Sequence, residues 1–112
     1  LLLIPTDHLE NIHKAYYDAG SNVVSTNTFG ANSLKFEEEE LEEIVKAAFE
    51  NANAARKQCE QSGQKFIALD IGPTGKLLKP LGDLDFEDAV SVFAKTVKLG
   101  VKYGIRIALV VF

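Results

Sequence analysis

Two short stretches gather the residues able to orient a small polar ligand. Thr26-Asn27-Thr28-Phe29-Gly30-Ala31-Asn32 is dense in hydroxyl and amide groups, which hydrogen-bond without carrying charge. Asp70-Ile71-Gly72-Pro73-Thr74-Gly75 sets a carboxylate beside two glycines and a proline, a composition that bends the chain tightly and exposes backbone amides. Loop capping is the plain alternative for Asn27, Thr28 and Asn32, and turn capping for Asp70. A phosphate-binding P-loop is excluded, because that motif needs Gly where Asp70 stands and Ser or Thr where Leu77 stands.

Other reactive side chains point to packing. His8 and His13 are five apart, so they do not share a helix face as a metal pair at three or four would, and both read as surface histidines. Cys59 is the single cysteine, four after Ala55 on an apolar stripe, which predicts a small core residue rather than a nucleophile. With no possible internal disulfide, the expected compartment is the reducing cytoplasm. The net charge of -4, with Lys and Arg scattered, argues against a nucleic-acid partner. Leu1-Leu2-Leu3-Ile4 meets Pro5 and Asp7 too soon for a signal peptide or membrane span, and reads as a buried strand.

Helices and strands must carry these loops. A first helix is expected from Thr6 or Asp7, as caps, to about Ala19, burying Leu9, Ile12, Tyr16 and Ala19. A second has the clearest pattern, with Leu41, Ile44, Val45, Ala48, Phe49, Ala52 and Ala55 inward and Glu37 to Glu40 at its amino end, where negative charge suits the helix dipole. The third follows a capping Asp85 and turns Phe86, Ala89, Val90, Phe93, Val97 and Val101 inward. Gly20, Gly63 and Gly104 stop the three helices. Strands are expected at Leu1 to Ile4, Asn22 to Thr26, Lys65 to Asp70 and Ile105 to Phe112, rich in Val, Ile and Phe.

The order βαβαβαβ predicts one α/β domain over residues 1 to 112, built of parallel βα units. It amounts to about half of a (βα)8 TIM barrel, which needs about 250 residues. Both loops then leave the carboxyl ends of strands, where such folds place their sites. An open sheet edge would favour association, with a homodimer as the expected form. Two alternatives stand beside a barrel: a structural or engineered α/β unit without catalysis, and a flavodoxin-like open sheet binding a small anion at the turn from Gly72 to Gly75.

The stretch from Ile12 to Gly20 and the two loops together resemble the homocysteine S-methyltransferase domain at the amino end of cobalamin-dependent methionine synthase, with betaine-homocysteine methyltransferase as a related family. That resemblance implies a barrel in which zinc, held by three cysteines, binds the homocysteine thiol as thiolate and readies it for methylation. Cobalamin would belong to the full-length parent. On this comparison Asn27, Thr28 and Phe29 line the pocket, Gly72, Pro73 and Thr74 hold the amino-acid end of the substrate through backbone amides, and Asp70 is expected among the substrate-binding residues. Three departures are visible. Ile4-Pro5 runs directly into the first helix where the family has an Asp-Gly turn and a long connection. No glutamate closes the last strand for the substrate amine, and no set of three cysteines exists. The chain is therefore expected to be a fragment of such an enzyme, inactive by itself.

Overall fold

The computed structural model describes residues 6–59 and 63–111. The expected strand Leu1–Ile4, the side chains of Thr6 and Asp7 as caps, and Phe112 lie outside the described residues. The elements follow as α1 (Thr6–Asp18), β1 (Val23–Ser25), α2 (Glu38–Gln58), β2 (Phe66–Ile71), α3 (Phe86–Lys102) and β3 (Ile107–Val110). The strands form one parallel sheet in the order β1-β2-β3, with Val24 beside Ile67 and Asp70 beside Leu109. Each step moves the same way through a helical crossover. Because such crossovers are right-handed, α2 and α3 fall on one face of the sheet. The doubly wound alternative reverses direction at a switch point, and no reversal occurs among the described strands.

Side chains alternate across a strand, so the two sheet faces divide cleanly. Val24, Ile67, Leu69 and Ile71 meet the helices, joining Leu41, Val45, Ala52 and Ile105 in the core. Val23, Phe66, Asp70 and Leu109 occupy the opposite face, the one a closed barrel turns inward, and the three apolar ones are exposed. The second helix matches its sequence reading: Leu41, Val45, Ala48, Ala52 and Ala55 are buried, Ile44 and Phe49 pack beside them, and Glu38, Glu39 and Glu40 fill the first turn. Gly20 and Gly104 follow α1 and α3 at φ of 111° and 97°, a region costly for any side chain, whereas α2 stops at Gln58 with Cys59 in extended backbone, ahead of the expected Gly63.

Two helix faces differ from expectation. In α1 the buried residues are His13 and Tyr17, whereas Ile12 (45% exposed) and Tyr16 (61%) are outside the core. The helix is rotated because the Tyr17 hydroxyl reaches across to donate to the Phe66 carbonyl at 2.6 Å. In α3 the buried residues are Ala89, Val92, Thr96 and Gly100, whereas Phe86 (68%) and Val101 (66%) face outward with Val90. A Cβ on Gly100 would lie 2.8 Å from Leu69 Cδ2, so the helix approaches the sheet through its smallest residues. Asp85 precedes α3 as expected but makes no capping hydrogen bond. Its carboxylate instead pairs with the Lys79 ammonium at 2.9 Å.

Candidate active site at the strand ends

The two loops singled out in the sequence meet at the carboxyl ends of β1 and β2. The Gly72 amide donates to the Phe29 carbonyl at 3.1 Å, and a Cβ on Gly72 would fall 2.4 Å from that oxygen. Only glycine permits this approach. A ring of hydrogen bonds locks the crossing. The Asp70 amide donates to Thr26 Oγ1 at 3.3 Å, the Thr26 and Thr28 hydroxyls are 2.7 Å apart, and Thr28 Oγ1 donates to the Asp70 carbonyl at 2.7 Å. Since the Thr28 proton goes to Asp70, Thr26 must be the donor between the two hydroxyls. Both threonines are buried, and both hydroxyls are spent on the fold.

The remaining loop residues divide between support and exposure. Asn32 behaves as a cap: its Oδ1 accepts the Leu34 amide at 2.9 Å, and its carbonyl accepts from Lys35 and Phe36. Thr96 of α3 donates to the Ala31 carbonyl at 3.3 Å, tying this loop to the helix layer. Thr74 is buried, with its hydroxyl bonded to the backbone of Lys76. Pro73 and Phe29 are exposed beside it. The Gly72 amide is already given to Phe29, which removes it from any anion the turn could hold.

Asn27 and Asp70 line a hollow of about 550 Å³ along the edge of β1 away from β2, with Leu9, Ile12 and Tyr16 forming its apolar wall. His13 lines it too, which corrects the expectation of a surface histidine. The ring is 6% exposed, its Nε2 has no hydrogen-bond partner, and burial lowers its pKa below the usual 6.5. Its placement was signalled by the spacing to Tyr17, one helical turn on, but apolar periodicity alone gives a histidine no weight. Burial also raises the Asp70 carboxyl above its usual value. His13 reaches the hollow from the helix layer and Asp70 from the opposite sheet face, so the two line it from different sides of β1.

These residues do not fit a zinc centre. Among the described residues no three His, Cys, Asp or Glu side chains come together for a metal. Cys59 follows the end of α2, at the amino ends of the strands, and packs beside Tyr17, Val24 and Ala55 as a core residue. No helix among the described residues is long and apolar enough to cross a membrane.

The family model for homocysteine S-methyltransferase matches residues 1–111. The chain belongs to the homocysteine S-methyltransferase family. A methionine synthase from Mycobacterium tuberculosis (strain ATCC 25618 / H37Rv) is 29% identical over 85 residues, covering 71% of this chain and 7% of that protein. The homocysteine methyltransferase MmuM from Escherichia coli superposes in its metallated form with a TM-score of 0.80 at 18% identity, over 97% of this chain and 43% of that one. Its oxidized form gives 0.79 at 18% identity, over 96% and 42%. The chain thus spans less than half the length of these relatives. The fold is that of a partial methyltransferase barrel, in which the two strand-end loops stand at one end of the sheet.

Proposed function

We propose that this chain supplies the homocysteine-facing opening of a zinc-dependent methyltransferase barrel, and that it transfers no methyl group by itself. The observation that carries the reading is the convergence of the loops at Phe29 and Gly72, which brings Asn27, Phe29, Asp70 and Pro73 to one strand-end surface. Thr28 and Thr74 contribute from beneath that surface, through the bonds that shape each loop. Zinc, where bound, supplies a thiolate at neutral pH from a thiol whose pKa is otherwise about 8.5. Its ligands must come from residues other than those described. The exposed inner face bearing Val23, Phe66 and Leu109 is covered in the assembled barrel, and a second copy of the chain covers it in isolation.

The test is complementation. The chain is combined with a polypeptide completing the barrel, zinc, homocysteine and a methyl donor, and methionine is measured. Methyl transfer by the mixture and none by the chain alone is the expected result. A folded, zinc-loaded complex that makes no methionine would overturn the reading.

A further inference from the structure

The two edges of the described sheet are each open to a further strand. The Asn22 carbonyl accepts the Phe66 amide at 2.7 Å and the Thr26 amide donates to the Ala68 carbonyl at 2.8 Å, so residues 22, 24 and 26 address β2. Backbone groups alternate sides along a parallel strand, which leaves Val23 and Ser25 to direct their amides and carbonyls to the opposite edge. In β3 the Val111 amide donates to the Ile71 carbonyl at 2.8 Å, so Ala108 and Val110 direct theirs away from β2. Neither edge meets another strand among the described residues. Two such rows are templates for strand addition.

The helices show which strand each edge would take. α1 packs through Tyr17 on Val24 and Ala55, which places it on the same sheet face as α2. Its exposed Ile12 and Tyr16 overhang the hollow along the free edge of β1. At the other edge Val110 lies beside Ile71 on the helix face yet is 40% exposed, and the exposed Val101 of α3 borders a small cleft with Ile107 and Ala108. The sheet continued past β3 therefore needs a parallel strand with an apolar helix laid over it, and β1 with α1 has that form. We propose that two copies of this chain associate head to tail, β3 of each adding parallel to β1 of the other, with α1 of that copy covering Val101 and Val110. The chain spans a little under half of a solved methyltransferase chain, so a pair makes about one barrel and the contact closes after two copies. This specifies the self-association stated above and does not depend on methyl transfer.

Light scattering of the full chain over a dilution series, read together with hydrogen exchange, tests the pairing. At high concentration the particle should have twice the 12.3 kDa of the chain, and the amides of Val23, Ser25, Ala108 and Val110 should gain protection together as it forms. Tyr16→Lys and Val110→Lys, both at exposed positions, should keep the parent circular dichroism and each raise the dimer dissociation constant about tenfold or more. Leu81→Lys, on the exposed loop between β2 and α3, should leave that constant unchanged. Because the contact is head to tail, mixing Tyr16→Lys with Val110→Lys chains restores one intact contact, and a mixed dimer should form where neither variant dimerises alone. A dimer indifferent to both lysines overturns the proposal, and a monomer at every concentration overturns it along with the self-association. Protection of Val23 and Ser25 that persists in the diluted monomer would assign the hollow to the chain's own residues, which also overturns it. A dimer whose four edge amides stay unprotected sinks the pairing and spares the cover of the inner face. Methionine formation in the complementation test decides the methyl-transfer reading separately in every case.

Discussion

The ring joining Thr26, Thr28 and Asp70 makes Thr28→Val the most informative single change. Valine keeps the shape and β-branch of threonine, so packing at this fully buried position is nearly conserved. What disappears is the 2.7 Å bond to the Asp70 carbonyl, together with the acceptor for the Thr26 hydroxyl. Leaving a buried polar partner unsatisfied costs about 1–3 kcal/mol, and two are affected here, which gives about 2–6 kcal/mol. A domain of this length is stable by roughly 6–17 kcal/mol. With a urea slope of about 2 kcal/mol per molar, the midpoint should fall by about 1–3 M at unchanged slope. Thr28→Ser keeps the hydroxyl and loses one methyl, at a cost of about 1 kcal/mol. Transfer of apolar surface alone would rank valine above serine, so the order is decisive. A Thr28→Val chain as stable as Thr28→Ser would refute the closed ring.

Two further outcomes follow from the same geometry. Gly72→Ala drives a methyl into the Phe29 carbonyl and ring, at 2.4 Å and 2.8 Å, and should cost about 1–3 kcal/mol in thermal unfolding, with loss of hydrogen-exchange protection at the Gly72 amide. Gly20→Ala meets nothing within 4 Å and should carry only left-handed strain of about 1–2 kcal/mol, leaving Gly72 protected. His13 has a folded pKa below its unfolded value, so as pH falls through about 6.5 the unfolded chain takes up a proton that the fold refuses, and stability drops. His13→Gln should flatten that part of the urea midpoint against pH, and an unchanged slope would show that His13 is not buried neutral.

Some of this architecture is legible in the residues and some is not, for physical reasons. The stripe from Leu41 to Ala55 places α2 correctly because its apolar and polar positions do not compete. In α1 two stripes compete, and the one with larger apolar area, Leu9, Ile12 and Tyr16, loses to His13 and Tyr17. The deciding bond, Tyr17 to Phe66, joins residues 49 apart and has no local signature. In α3 hydrophobicity ranks Phe86, Val90 and Val101 inward, but close approach to Leu69 selects Ala89, Thr96 and Gly100. Size, not apolarity, sets that face.

The loops show the same division at the level of chemistry. Their hydroxyls and amides single out the strand ends as a candidate site, yet composition cannot say which groups the fold itself consumes, because the bond from Thr28 to Asp70 spans 42 positions. The fold uses the hydroxyls of Thr26, Thr28 and Thr74 and the Oδ1 of Asn32 for itself, so most of the polar content of the loops shapes the strand ends. Burial raises the Asp70 carboxyl, so at neutral pH the fold carries a charge that costs stability. That loss sets in as pH rises from the unfolded pKa toward the higher folded one. Asparagine would fit without that penalty. An Asp70→Asn chain should therefore be more stable than the parent at neutral pH and gain nothing below the unfolded carboxyl pKa, read from the urea midpoint at the two pH values.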